Sequence, residues 1–174
     1  MEKELKIPEG FKVEIDGKKV IVSHNGKSLE KELKMSSEIK MSIEGDTFKV
    51  YTDSERKKSK AMLGTVISHV KNMIKGLKDG YTYRMKIIYT HFPMNVKIEG
   101  NKVIITNFLG ERTTRTARII GDTKVQIAGQ DITLTGINKE HVSQSAANIE
   151  NATRISKKDR RIFQDGIYIV QSRE

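Results

Sequence analysis

An internal repeat limits the folds open to this chain of 174 residues. The stretch VEIDGKKVIV, which begins at Val13, returns as VKIEGNKVII from Val96, an offset of 83 residues. The segment KMSIEG, which ends at Gly45, matches KVQIAG, which ends at Gly129, at an offset of 84. A chain duplicated in this way is expected to fold as two similar units in tandem.

Each copy of the repeat predicts two β-hairpins. Apolar and polar residues alternate on both sides of Gly17 and Gly45, and again around Gly100 and Gly129. Alternation with a period of two is typical of a strand with one buried face. Glycine supplies the positive φ that a tight hairpin turn requires, so the four glycines mark the four predicted turns.

One amphipathic helix is predicted after each pair of hairpins. In the first copy Thr52 and Glu55 have the spacing of a capping box, and Gly76 is the predicted C-cap. In the second copy Asn138 is the predicted N-cap. Apolar residues at helical spacing predict that one face of each helix packs on a sheet. These residues are Met62, Val66, Val70, Met73 and Leu77 in the first helix, and Val142, Ala146, Ile149 and Ala152 in the second.

The predicted domain organisation follows from this order. A further extended stretch follows each helix, at residues 81–89 and 162–170. The fold class is therefore α+β, with two tandem similar domains, each an antiparallel sheet of hairpins covered by one helix. We place the first domain at residues 1–84 and the second at 85–174, joined by a short linker near 83–95.

The charge of the chain predicts a polyanionic partner. It has 32 Lys and Arg against 22 Asp and Glu, a formal net charge of +10. Such a balance attracts nucleic acid, an anionic membrane surface or an acidic protein, and it does not choose among them. Seven of the nine arginines lie after residue 86. Since arginine makes planar bidentate contacts with phosphate, the second half is the predicted specific reader of the polyanion.

The densest basic segment is RISKKDRR, at residues 154–161, with five cations and one anion. It lies between a predicted helix and a predicted strand, and such loops often carry binding residues. A solvated run of charge is the alternative interpretation, and Arg154 could instead serve the dipole of the preceding helix. The candidate RNA-binding residues are Arg154, Lys157, Lys158, Arg160 and Arg161.

Two further basic clusters are weaker candidates. Arg112, Arg115 and Arg118 recur every third residue, so they are not expected to share one face of a strand. Residues 56–60 lie at the start of the first helix, where a solvated helix face is an equal alternative. Aromatic residues make up 6% of the chain and do not interleave with these runs. Recognition of the backbone and shape of structured RNA or duplex is therefore favoured over base stacking.

Nothing in the sequence predicts an enzyme or a cofactor. The chain has no cysteine, which excludes disulfides, Cys-based metal sites and a thiol nucleophile. Its four histidines lack metal-binding spacing and are interpreted as structural or surface residues. Phosphate-binding and nucleophile-elbow motifs are absent, so no small-molecule substrate is expected. The lack of a long apolar run or a signal-like N-terminal segment predicts a soluble, intracellular protein with no membrane-spanning segment.

Three segments of the sequence resemble a known family. The opening IPEGFKVEIDG, at 7–17, is similar to the start of large-ribosomal-subunit protein six. The stretch TGINKEHVSQSAANI, at 135–149, resembles the second-domain helix of that family. The stretch RRIFQDGIY, at 160–168, looks like its archaeal and eukaryotic form. The likeness runs in order through nearly the whole chain and includes the duplication.

The resemblance implies a two-domain, non-catalytic constituent of the large ribosomal subunit in the cytoplasm. It implies that the second domain is anchored on large-subunit rRNA near the sarcin–ricin loop and the stalk base. Neighbouring large-subunit ribosomal proteins would be partners, and translational GTPases would dock nearby. The RNA-contacting element of the family is the basic segment after the second helix, which is Gly- and Lys-rich in bacterial members.

We expect the first domain to be more loosely engaged and to face the factor-binding side. Two other classes of function compete with the ribosomal one. The chain could be a non-ribosomal, sequence-independent nucleic-acid-binding protein, or a protein-interaction module whose basic face docks an acidic partner.

Overall fold

The computed structural model describes residues 1–35 and 38–172. The chain divides into two compact units, Met1–Asp79 and Gly80–Glu174. Each unit contains antiparallel sheets and one long helix, so the predicted α+β class with two tandem similar domains is confirmed. Within each unit the strands form two sheets rather than one.

The first unit is built from six strands and one helix. Strands β2, β3 and β4 form one sheet in that order, and β1, β6 and β5 form the other. The helix α1 packs on strands of both sheets, which encloses a core that includes Val20, Phe48 and Val66. The elements are β1 (Glu2–Lys6), β2 (Lys12–Asp16), β3 (Lys19–His24), β4 (Lys27–Glu32), β5 (Ile39–Glu44), β6 (Thr47–Thr52) and α1 (Lys57–Lys78).

The second unit repeats this arrangement and adds a strand. Strands β8, β9 and β10 form one sheet, and the other has the order β11-β12-β7-β13. The helix α2 packs on β7, β10, β12 and β13, over a core that includes Val103, Leu134 and Ile149. The elements are β7 (Tyr81–Ile88), β8 (Asn95–Glu99), β9 (Lys102–Thr106), β10 (Arg115–Arg118), β11 (Lys124–Ala128), β12 (Asp131–Gly136), α2 (Lys139–Ala152) and β13 (Gly166–Ser172).

All four predicted hairpins are confirmed. They are β2–β3, β5–β6, β8–β9 and β11–β12, and each is antiparallel. The sequence pattern missed the strands β4 and β10, which extend the first hairpin of each unit to three strands. The four turn glycines have positive φ, at 58° for Gly17, 57° for Gly45, 56° for Gly100 and 62° for Gly129.

The strand β7 belongs to the second unit, although the repeat assigned residues 81–89 to the first. It lies between β12 and β13, and Met85 pairs with Ile132 on one side and Ile169 on the other. The division between units therefore falls before β7, whereas the predicted division after residue 84 lies inside it. Residues 83–88 are strand and not linker. The predicted extended stretch at 162–170 becomes a strand only from Gly166.

The ends of α1 differ from the prediction. Its N-cap is Arg56, and no side chain caps it, so the capping box of Thr52 and Glu55 is wrong. The hydroxyl of Thr52 instead donates to the carbonyl oxygen of Glu38 at 2.9 Å. Gly76 is buried within the helix and is not its C-cap, because the helix continues to Lys78.

The start of α2 is as predicted. The side chain of Asn138 accepts a hydrogen bond from the backbone N–H of Glu140 at 3.0 Å, which confirms the N-cap. Both predicted apolar stripes face the cores, with two adjustments. Met62 is half-buried while Leu63 takes the buried position, and Ala152 packs at the margin of the second core.

Candidate nucleic-acid interface

The basic segment forms a loop between α2 and β13, called here the basic loop and defined as residues 154–161. Thr153, directly before the loop, and Ile155, within it, are buried. The hydroxyl of Thr153 accepts a hydrogen bond from the backbone N–H of Ile167 at 2.9 Å, which ties the end of α2 to β13. The five predicted cations are all exposed: Arg154, Lys157, Lys158, Arg160 and Arg161.

An aromatic stack contacts Lys158 of the basic loop. The ammonium of Lys158 lies 4.4 Å from the ring centroid of Phe163, a cation–π contact. The ring of Phe163 stacks on His91, with centroids 4.6 Å apart and an interplanar angle of 20°. This histidine therefore orders the loop, which agrees with its interpretation as a structural residue.

A buried carboxylate fixes that stack. Asp165 accepts hydrogen bonds from the backbone N–H of Thr90 at 3.1 Å and of His91 at 3.2 Å. The hydroxyl of Thr90 lies 2.9 Å from the same carboxylate, and Nδ1 of His91 lies 2.8 Å from it. Burial raises the pKa of Asp165, but the hydrogen bonds from His91 and Thr90 outweigh burial and hold that pKa well below its usual range. The carboxylate is ionised at neutral pH and joins residues 90–91 to the segment that follows the basic loop.

The single anion of the loop orients one arginine. The guanidinium of Arg161 donates to both oxygens of Asp159, at 3.2 and 3.0 Å, while the Arg161 side chain remains 90% exposed. The hydrogen bonds from Arg161 hold the pKa of Asp159 below its usual range. Among residues 1–35 and 38–172, no hydrogen bond or ion pair engages the side chains of Arg154 and Lys157. The basic loop therefore presents its cations to solvent from a fixed backbone.

The three arginines around β10 have different surroundings. Arg115 is half-buried and shares a strand face with buried Ala117, whereas Arg118 is exposed on the opposite face. Arg112 is exposed in the loop before the strand. The expectation that the three would not share one face is confirmed.

Arg115 is engaged by its own domain. Its guanidinium donates to both carboxylate oxygens of Glu111, at 2.9 and 2.6 Å, and to the carbonyl oxygen of Ala152 at 2.8 Å. It also lies 4.3 Å from the ring centroid of buried Phe108. The last turn of α2 has no basic residue, so Arg115 supplies the cation that favours a helix C-terminus.

The two basic clusters of the second unit are electrostatically linked. Hydrogen bonds from Arg115 lower the pKa of Glu111, and the charge of Lys158 lowers it further. In the first unit, Arg56 lies 3.8 Å from Glu38, and the other cations at the start of α1 are exposed.

A pocket that the sequence did not predict lies beside the basic loop. Its volume is about 230 Å³, and it is bordered by Asn151 and Glu150 of α2, by Arg154 and Arg160 of the loop, and by Tyr168 of β13. Tyr168 lies fourteen positions after Arg154, so no local pattern marked it as a neighbour of the basic loop. The pairing of β13 with β7 brings it there.

Comparison with known proteins identifies the family. Residues 7–80 and 92–166 each match the family model of ribosomal protein L6. The chain belongs to the ribosomal protein L6 family. It is 45% identical to the large ribosomal subunit protein uL6 of Thermoplasma acidophilum, over 98% of this chain and 95% of that protein. The uL6 protein of Methanosphaera stadtmanae is 50% identical over 97% of this chain and 91% of its own length.

A third archaeal relative agrees with the first two. The uL6 protein of Methanocella arvoryzae is 47% identical over 96% of this chain and 94% of its own length. The family predicted from three sequence segments is thereby confirmed, and its two matched regions reproduce the predicted tandem repeat. No helix within the described ranges is long and apolar enough to cross a membrane.

Proposed function

We propose that this protein is a structural, non-catalytic constituent of the large ribosomal subunit and binds large-subunit rRNA through the basic loop. Membership of the ribosomal protein L6 family supports the ribosomal role. The observation that carries the binding site is the fixed loop itself, with five exposed cations between the end of α2 and β13. The same loop was the densest basic segment of the sequence.

The proposed mechanism is neutralisation of rRNA phosphates with release of condensed counterions. Each phosphate contact contributes about −0.7 to −0.9 to the slope of log affinity against log salt, so five contacts give roughly −3.5 to −4.5. The contacts of Thr153, Phe163 and Asp165 hold the loop before binding. A preformed loop loses less conformational freedom on binding and selects RNA of matching shape.

We infer different roles for the three arginines near β10. Arg112 and Arg118 are exposed and are proposed as additional phosphate contacts. Arg115 directs three of its N–H groups at protein acceptors, so its proposed role is to position the basic loop by holding the end of α2.

The proposed location follows from the family resemblance. We propose that the second domain lies near the sarcin–ricin loop and the stalk base, among neighbouring ribosomal proteins of the cytoplasmic large subunit. The first domain would be more loosely engaged, on the side where translational GTPases dock. No cofactor or small-molecule substrate has a part in this function.

The test is equilibrium binding to a folded large-subunit rRNA fragment that contains the sarcin–ricin region, with bulk RNA duplex as competitor. The loop variant carries Arg154→Gln, Lys157→Gln and Lys158→Gln. We expect the native chain to prefer the fragment, and the loop variant to lose that preference. Its salt slope should be shallower by about 2 to 2.7, the contribution of three phosphates.

A matched control separates location from net charge. Arg84, Lys97 and Lys124 are exposed and lie on strands of the same unit, away from the basic loop in sequence. Changing all three to Gln removes the same number of arginines and lysines, and this control should bind almost as the native chain does. Equal losses of rRNA affinity in the loop variant and in the control would indicate a general polyanion binder. Unchanged RNA affinity in the loop variant would indicate that the basic loop serves an acidic protein partner.

A further inference from the structure

We propose that the pocket beside the basic loop receives one unpaired rRNA base that carries an exocyclic amino group. This inference rests on the proposed function, because the base would belong to the rRNA that the basic loop binds. The pocket lies between the end of α2, the loop and β13, and its volume is about 230 Å³. That volume is below the roughly 300 to 1,000 Å³ of pockets for drug-sized ligands, and it suits a single ring system.

Tyr168 supplies a preformed aromatic wall. It is 38% exposed, and its hydroxyl donates to the carbonyl oxygen of Gln164 at 3.1 Å. Its ring covers Gly166, where an added Cβ would lie 3.0 Å from the tyrosine ring. The absence of a side chain at Gly166 therefore allows the ring to take this position. An aromatic face held in place stacks on a base without losing side-chain freedom.

The end of α2 lines the same pocket and offers hydrogen-bonding groups. One carboxylate oxygen of Glu150 accepts from the backbone N–H of Ile169 at 3.4 Å, which leaves its other oxygen for a ligand. In the part of the chain that the structure describes, the side-chain amide of Asn151 makes no hydrogen bond. A carboxylate accepts from the amino group of cytosine, adenine or guanine, whereas uracil presents a carbonyl oxygen there.

The charges around the pocket favour a base over a free phosphate. Arg154 and Arg160 are exposed residues that line the pocket, and they can hold the phosphates on either side of an unpaired nucleotide. Glu150 borders the same pocket and would repel a phosphate placed inside it. The arrangement therefore suits phosphates at the rim and a neutral ring, with its amino group, within.

The first experiment probes the pocket directly with CMP, UMP and ribose 5-phosphate, followed by NMR signals of the native full-length chain. We expect CMP to shift the ring signals of Tyr168 and the side-chain amide of Asn151. CMP should bind roughly tenfold more tightly than UMP, the effect of one hydrogen bond to a charged acceptor. Equal shifts from CMP and ribose 5-phosphate would overturn the proposal in favour of an anion site. Equal binding of CMP and UMP, or no shift at Tyr168, would overturn it as well.

The second experiment uses the rRNA fragment and three tyrosine variants. Tyr168→Leu should weaken binding roughly 5- to 150-fold, the range of base–aromatic stacking, and leave the salt slope unchanged. Tyr168→Phe retains the ring and should bind nearly as the native chain does. Tyr89→Leu is the matched control, because Tyr89 is 39% exposed in the same unit.

The two proposals fail in different ways. If the loop variant loses rRNA binding while Tyr168→Leu binds as the native chain does, the pocket proposal is overturned and the proposed function stands. If the loop variant also binds as the native chain does, the proposed function itself fails. Loss of binding in Tyr168→Phe equal to that in Tyr168→Leu would show a role for the hydroxyl in folding the loop, and would overturn stacking.

Discussion

Replacing Arg115 by methionine separates a structural arginine from an RNA-binding one. Methionine keeps an unbranched apolar stem against Phe108 but removes the contacts to Glu111 and to the carbonyl oxygen of Ala152. The substitution should destabilise the second domain and leave the number of phosphate contacts unchanged. The matched variant is Arg112→Met, which removes an exposed arginine three residues away.

The expected loss can be added up from these contacts. The side chains of Arg115 and Glu111 are 28% and 37% exposed, so their ion pair contributes only about 0 to 1 kcal/mol. The hydrogen bond to Ala152 adds about 0.5 to 1.5 kcal/mol. The cation–π contact with Phe108 adds about 0.5 to 1 kcal/mol. The sum is about 2 kcal/mol, which lowers the melting temperature of a domain of this size by roughly 8 to 16 °C.

The assay is differential scanning calorimetry of the full chain, because the protein has no tryptophan to report unfolding by fluorescence. Arg112→Met should leave the melting temperature almost unchanged and make the salt slope of rRNA binding shallower by about 0.7 to 0.9. Arg115→Met should show the reverse pattern. The structural role of Arg115 is refuted if Arg115→Met changes the salt slope by that amount and has the same melting temperature as the native protein.

Three further outcomes are expected. Asp165→Asn should lower the free energy of unfolding by roughly 2 to 3 kcal/mol in calorimetry, because a buried carboxylate that accepts several hydrogen bonds is replaced. Folding lowers the pKa of Asp165, so its stabilisation is present above its unfolded pKa of about 3.9 and is lost as the pH falls toward the folded value. Urea unfolding from about pH 5 to pH 2 should therefore show a steeper loss for the native protein than for Asp165→Asn, and parallel curves would contradict this. Gly121→Ala should lower the melting temperature more than Gly129→Ala does. Both glycines have positive φ, but of the two only Gly121 would place an added Cβ against another group, the imidazole of His141. Equal melting temperatures of the two variants would contradict this.

Local signals in the sequence were enough to predict the hairpins and α2. A turn glycine between alternating residues determines its own hairpin, and Asn138 caps the helix that begins at the next residue. The location of β7 could not be read in the same way. Its partners are set by pairing across nearly fifty positions, as between Met85 and Ile132, and no pattern within β7 distinguishes those partners from others. The capping box failed for a similar reason, since the hydroxyl of Thr52 bonds to Glu38 instead.

The candidate site likewise contains residues that local sequence could predict and residues that it could not. Counting charge was sufficient to find the basic loop, because a run of cations in a loop is solvated wherever the loop lies. It could not distinguish Arg115 from Arg112, because one of the acceptors that engage Arg115 is the carbonyl oxygen of Ala152, in a distant helix. The spacing of Glu111 four residues before Arg115 was the one local signal that could have indicated an internal ion pair. Tyr168 had no local signal at all.

The comparison of the two units shows why the second one carries the proposed site. Strands β1 and β7 are equivalent, because each pairs with the strand that precedes the helix of its unit, β6 or β12. In the first unit β1 is an edge strand, whereas in the second β13 pairs with the other edge of β7. The basic loop is the connection that leads from α2 to β13. The duplication therefore explains the shared architecture, and the added residues 153–172 bring together the cations, Asp165 and Tyr168 on which both proposals depend.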